Sequence, residues 1–489
     1  MSGLSLMPEI RKLTISVTAF LRALANRNNS VFVLLSIIFL LLIVDTSISR
    51  ATSVVPERLS NVRLAIFVII GIASVVVSPY FILRFAGGQT ISTKKADRLH
   101  FIVIHRIAEL SQYVLAAIFI FFILQMVIFS FYSIAALTLA TVIGYTIASF
   151  MLGVLAVKFF GWFRSNRNSV VFLYSLSSVM ITINLTVTCI FVADILRSQP
   201  SVVSSSHLIN VPFIAPGSIG DLLNYPYIIS YVLSFILSWV ATVWLLRHQS
   251  RSLATIRFWV ILSLPLVFFL LQFGPLFTDL LSSFFRTQPV FFGTFYTLFF
   301  ASSKSVGGVL FGVAFWVLAH KIRNNMVIRN YLLLSAYGFM LLFVSNQAIV
   351  LTFNLYPPFG LSSVSFIGVS SYLLMIGIYS SATSLSQDIK LRQSIRRSAI
   401  SELELLDRIG MAHMKQQLEK RVLNVVKAEQ TNMIEQTGVQ TSLTEADIKS
   451  YLEQVLNEME KTNTRRHSSV KQKEEKFTSD AESKKGEDS

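Results

Sequence analysis

The sequence predicts an all-α fold, a polytopic integral membrane helical bundle of about ten transmembrane helices with a cytoplasmic helical tail. Three observations predict it. Ten long apolar runs fill residues 31–384. Only 14% of the residues are charged, against about 25% in a soluble globular chain. The basic residues between the runs fall almost entirely on one side of the implied membrane.

A helix needs about 20 mainly apolar residues to cross the hydrocarbon core. The runs that meet this length are roughly 31–49, 64–83, 113–132, 135–158, 169–194, 225–246, 258–281, 291–318, 331–354 and 361–384. The first is read as a span and not as a signal peptide. It begins at Val31, lacks a small-residue cleavage site and is followed by nine similar runs. The chain has one cysteine, Cys189, within the fifth run. An intramolecular disulfide and a cysteine-based metal site are therefore excluded.

Lys and Arg collect in cytoplasmic loops. With the N-terminus inside, the inner segments before the tail carry 18 basic residues and the outer segments carry 5. The richest inner connection, between spans 2 and 3, holds Arg84, Lys94, Lys95, Arg98 and Arg106. Ten spans with both termini cytoplasmic, in the cell membrane, is the consistent topology. The net charge of +16 belongs to residues 1–384, since residues 385–489 hold 18 basic and 18 acidic residues. Topology and the anionic lipid head groups of the cytoplasmic face account for that excess, so no nucleic-acid partner is expected.

The segments outside the spans follow in order. Residues 1–30 form a cytoplasmic amphipathic segment, with Ile10, Leu13, Val17, Leu21 and Leu24 on one helical face. Residues 94–112 read either as an interfacial helix or as an inward extension of span 3. The outer loop 195–224 carries Pro200, Pro212, Pro216, Gly217 and Gly220, the chemistry of an ordered or partly re-entrant loop. Spans 9 and 10 are joined by Tyr356-Pro357-Pro358-Phe359-Gly360, a tight hairpin at the membrane surface. Residues 385–460 form a cytoplasmic helical tail whose apolar stripe is Met411, Met414, Leu418, Val422 and Val425. A break is expected near Thr437-Gly438, and a capped helix opens at Thr444. Residues 461–489 are almost without apolar side chains and are expected to be disordered.

Polar residues inside the membrane are the candidates for function. Lys304 lies near the middle of span 8, in the setting Ser302-Ser303-Lys304-Ser305. A lysine at the bilayer centre costs about 2.5–3.5 kcal/mol on insertion scales, so it faces a partner or a cavity. Gly308 and Gly312 below it allow another helix to approach closely. The obvious counter-charges are Asp45, Asp194 and Asp279, at the outer ends of spans 1, 5 and 7. Each alone reads as an end-cap, and together they suggest an acidic outer rim. Gly274-Pro275, beside Gln272, predicts a break in span 7. If the chain is five plus five inverted spans, Pro79 corresponds to Pro275, and Gln125 to Lys304. Asn184, Asn346 and Gln347 are buried amides whose ordinary role is interhelical hydrogen bonding. The ligand-binding candidates are thus Lys304, Asp279, Gln272, Asp45 and Asp194.

No phosphate-binding loop, dinucleotide fingerprint, catalytic constellation or metal-ligand spacing is present, so the chain is expected to be no enzyme and to need no cofactor. Two classes of function remain. One is a membrane-embedded sensor or signal-transducing scaffold, in which span 10 continues into the helical tail and residues 388–460 bind a cytoplasmic protein or a second copy of the chain. That layout resembles, in plan, the polytopic sensor regions of bacterial and archaeal signalling proteins. The other is a secondary transporter with a site near Lys304. The sequence leans to the first.

Overall fold

The computed structural model describes residues 27–51, 60–90, 95–204, 217–247, 255–273, 289–322, 325–352, 356–387 and 404–437, with three further residues between 450 and 454. The chain is an all-α polytopic helical bundle. Among the described residues nine helices are long and apolar enough to cross a membrane.

Span 1 is α1, Arg27–Ala51. Span 2 is built from α2, Ser60–Gly71, a π-helical segment Ile72–Val77, and α3, Ser78–Thr90. The π segment directly precedes Pro79, whose ring nitrogen has no proton for the carbonyl four residues earlier. That carbonyl belongs to Val75, and Gln112 from the next helix donates to it at 2.9 Å. Span 3 is α4, one unbroken helix from Lys95 to Phe129. Its 35 residues make about 52 Å at 1.5 Å per residue, well beyond the hydrocarbon core. Of the two readings of residues 94–112, the structure adopts the extended helix.

Spans 4, 5 and 6 are α5, Ile134–Ser165, α6, Ser169–Arg197, and α7, Ile219–Leu246. The α5–α6 turn is tight because Asn168 caps α6, accepting from the backbone N–H groups of Val170 and Val171. Span 7 is represented by α8, Thr255–Leu271, which runs through Pro265. The expected break at Gly274-Pro275, and Asp279, lie outside the described residues. Span 8 is α9, Pro289–Lys321.

Span 9 departs from expectation. The sequence suggests one helix over 331–354, but α10, Met326–Ser345, stops short. Asn346 leaves helical geometry at φ −78° and ψ 63°, and a 3-10 helix resumes over Ala348–Thr352. Span 10 is α11, Leu361–Gln387. Its apolar window is completely enclosed by the other helices, which makes it the central helix of the bundle. It packs on α10 and α5 above all. Glycines allow near backbone contact there: a side chain at Gly377 would meet the Ser335 nitrogen, and one at Gly338 would meet the Leu374 nitrogen. Gly308 and Gly312 of α9 serve the same purpose against α10, facing Phe343 and Ala336.

The two ends of the bundle differ. At one end a short antiparallel ribbon joins β1, Phe131–Ser133, to β2, Val202–Ser204, with Phe131 opposite Ser204. The sequence gives no hint of this pairing. Tyr132 is buried beneath it and stacks on Tyr356 at 6.2 Å. Burial raises the pKa of both phenols, so both stay neutral. The hairpin before α11 is buried from Pro357 to Gly360 and does not lie bare at a surface. At the other end α12, Glu404–Thr437, begins by folding back. Leu405, Leu406 and Ile409 are buried, Gly410 lies against Leu385, and Arg408 O accepts from Asn166 Nδ2 at 3.4 Å. These first turns belong to the unit Met1–Ala412. His413–Ser489 is a second unit, where the helix ends at Thr437 and Leu418 and Val425 stand exposed. The segment 388–403, and all but three residues of the helix expected at 444–460, lie outside the described residues.

Candidate functional site

Lys304 is residue 16 of the 33 in α9, which puts it near the middle of that helix. It is 1% exposed. Its Nζ donates to the backbone oxygen of Asn346 at 2.8 Å and lies 4.1 Å from the centre of the Tyr231 ring. Both partners suit a cation. The C-terminal end of a helix leaves carbonyls without donors and carries negative partial charge. The face of a tyrosine ring attracts an ammonium group electrostatically. The break after Ser345 therefore creates the acceptor that the buried lysine needs.

The break itself is held by side chains from three other helices. Asn346 Nδ2 donates to Asn184 Oδ1 of α6 at 2.9 Å. Asn184 Nδ2 donates in turn to Ser230 Oγ of α7 at 3.2 Å. Tyr145 of α5 spans the break: its hydroxyl donates to Asn346 Oδ1 at 3.3 Å and accepts from the Ala348 backbone at 3.0 Å. Gln347 Nε2 donates to Ser305 Oγ, next to the lysine, at 3.5 Å. All of these residues are buried. In hydrocarbon an unpaired amide is costly, and here Asn346 O and Ala348 N at the break are both paired by side chains.

A line of hydroxyls leads away from this centre along α7. Ser230, Ser234, Ser238 and Thr242 recur every fourth residue and are all buried. Each also bonds a carbonyl of the preceding turn, the usual way a hydroxyl is housed within a helix. Ser238 additionally meets Ser177 of α6 at 2.7 Å. The stripe covers 12 residues, about 18 Å at 1.5 Å each. It ends at Thr242, in the half of α7 that leads to Arg247 at the C-terminal cap position.

The other sequence candidates fall elsewhere. Asp45 is fully buried, and its carboxylate caps α11 by accepting from Gly360 N at 3.1 Å, Ser363 N at 3.2 Å and Ser363 Oγ at 3.2 Å. Asp45 thus sits beneath the hairpin and lines no open rim, because the start of a central helix offers it better partners than water. Asp194 is half-buried near the end of α6 and forms no ion pair among the described residues. Gln272, just past the end of α8, donates through Nε2 to Phe269 O in its last turn at 2.8 Å. Gln125 caps the turn into α5, accepting from Ser133 N at 3.2 Å. It stands four residues from the end of α4, so its offset does not match that of Lys304. The structure gathers around Lys304 the amides Asn184, Asn346 and Gln347, the hydroxyls of Ser230 and Ser305, and two tyrosines. The run Ser345-Asn346-Gln347 inside an apolar span was the available signal for the break. It was weak because no glycine or proline marks the place.

No protein-family model, curated protein or solved structure matches the chain.

Proposed function

We propose that the protein is a multi-pass transporter of the cell membrane for a small anionic solute, with Lys304 as the cation that receives a carboxylate. The observation that carries the reading is a buried lysine capping an interrupted span. Secondary transporters place their sites at broken helices near the bilayer midplane, and ionisable groups at that depth mark ligand or ion pathways. A carboxylate arriving at Lys304 competes with the Asn346 carbonyl for the ammonium protons. Exchange of that bond frees the end of α10, which the amide network also governs. The hydroxyl stripe of α7 provides a polar half-path from the site toward the end that carries Arg247. In the topology with both termini inside, that end is cytoplasmic. The role is transfer without covalent chemistry, so the chain acts as no enzyme on this reading.

A second reading, a membrane sensor or signalling scaffold, has its own support. The first turns of α12 rest on the end of the central helix α11, through Gly410 against Leu385. A shift of α11 would thereby reach a tail that binds a cytoplasmic partner or a second copy of the chain. The two readings separate on a chain ending at Ala412, which keeps the docked turns and deletes the second unit. Reconstituted in proteoliposomes, the transporter retains uptake of small carboxylates in this shortened form. A chain that moves no solute at full length, but captures a partner through its tail, is the sensor.

A further inference from the structure

Spans 2 and 3 run antiparallel and pack closely at two glycines. A side chain at Gly71 would overlap the Phe119 ring, and one at Gly87 would meet His105 Nε2 at 2.7 Å. Between these contacts, where Gln112 also bonds the Val75 carbonyl, lies a cavity of about 550 Å³. The π-helical segment before Pro79 lies along this stretch, and Val75, whose carbonyl Gln112 holds, lines the cavity wall. His105 also lines the cavity, and its Nδ1 lies 2.7 Å from Tyr372 OH of the central helix.

The cavity has two chemical ends. Toward Ala116 its wall is mainly apolar, from Val75, Val76 and the Tyr113 ring, with the Gln112 amide bonded to the Val75 carbonyl. Toward the basic loop it is lined by Arg84, Arg106 and Glu109. Arg106 lies 3.9 Å from Glu109, and among the described residues Arg84 bonds the Tyr80 hydroxyl, at 3.1 Å. Among the described residues the rim therefore holds two positive charges and one negative, with an excess of one positive. Tyr80, Ile102 and Tyr113 at its edge are each about half exposed, so the groove opens sideways where a membrane-embedded bundle meets lipid. From Arg106 to Ala116 the wall rises 10 residues, about 15 Å, half the thickness of a hydrocarbon core.

We propose that this groove binds one anionic phospholipid. Its phosphate lies between Arg84 and Arg106, and one acyl chain runs along the apolar wall toward Ala116. A phosphate supplies the single negative charge the rim lacks, and Arg presents the forked donors that match it. The depth of the groove fits a chain from one leaflet, anchored at the end where the basic loops attract anionic lipid.

Native mass spectrometry of the full-length protein, titrated with phosphatidylglycerol, phosphatidylcholine and glycerol 1-phosphate, tests this. Phosphatidylglycerol is expected to be retained with about ten-fold preference over phosphatidylcholine, and glycerol 1-phosphate is expected not to be retained. Arg84→Gln with Arg106→Gln should erase the preference. Arg164→Gln with Arg167→Gln, exposed on the same end but outside the groove, should leave it intact. Ala116→Trp should lower retention by plugging the deep end, and Ala116→Leu gives the milder form should the tryptophan not fold. Equal retention of both lipids by the unaltered protein overturns the proposal. So does an equal loss of preference in the two arginine pairs, or retention of glycerol 1-phosphate as strong as that of the lipid.

Discussion

Lys304 Nζ lies 2.8 Å from the backbone oxygen of Asn346, so a side chain of α9 caps the C-terminal end of α10. A lone ammonium and an uncapped helix end are each costly in hydrocarbon, and here each satisfies the other. The arrangement is held open by Tyr145, which bonds both the Asn346 side chain and the Ala348 backbone. Tyr145→Phe leaves Ala348 N without its acceptor. The expected loss is about 1–3 kcal/mol of stability, measured by thermal unfolding in detergent. Unaltered stability would mean that the break stands without Tyr145.

The Asp45 carboxylate receives three donors at the start of α11. Asp45→Ala strands two backbone N–H groups at the head of the central helix. It should cost about 2 kcal/mol, the upper part of the range for a lost N-cap. Asp45→Asn, which keeps an acceptor oxygen, should cost less. Thermal unfolding of the two variants side by side decides this, and equal losses would argue against capping.

Gln112 and Pro79 form a testable pair, since the glutamine serves the carbonyl that the proline leaves unbonded. Gln112→Leu should destabilise by about 1–3 kcal/mol. Pro79→Ala restores a backbone N–H that can reach Val75 O. In that background Gln112→Leu should cost clearly less, giving a measurable coupling in a double-mutant cycle. Strict additivity of the two changes would contradict the assignment.

Topology can be read by labelling. With Cys189→Ala as background, a cysteine at the exposed Ser201, beside the β ribbon, should react with an impermeant thiol reagent from outside intact cells. One at the exposed Ser169, the first residue of α6, should react only after permeabilisation. The reverse pattern would invert the orientation drawn from the basic residues.

The spans were legible because length and apolar content are one-dimensional properties, and α5, α6 and α11 lie close to the runs 135–158, 169–194 and 361–384. Loop contacts gather at the two ends of the bundle: Asn166 meets Arg408 at one end, and Tyr132 meets Tyr356 at the other. Lys304 stood out because charge is expensive at its depth. What could not be read was pairing in space. Asn346 ends α10 through partners 201 and 162 residues away in sequence, Tyr145 and Asn184. Asp45 finds α11 across 315 residues. The ribbon of Phe131 with Ser204 joins two loops whose own residues carry no turn signature for it.

Binding of the transported anion at Lys304, the proposed role of that residue, is measured most directly by proteoliposome uptake. Full-length protein, Lys304→Arg and Lys304→Met are reconstituted at equal density and offered radiolabelled acetate, lactate, succinate and glutamate. The account predicts uptake of at least one by the unaltered protein, partial uptake by Lys304→Arg, and a loss of about a hundred-fold in Lys304→Met. Uptake that survives Lys304→Met undiminished, or no uptake of any of the four by the unaltered protein, would contradict it.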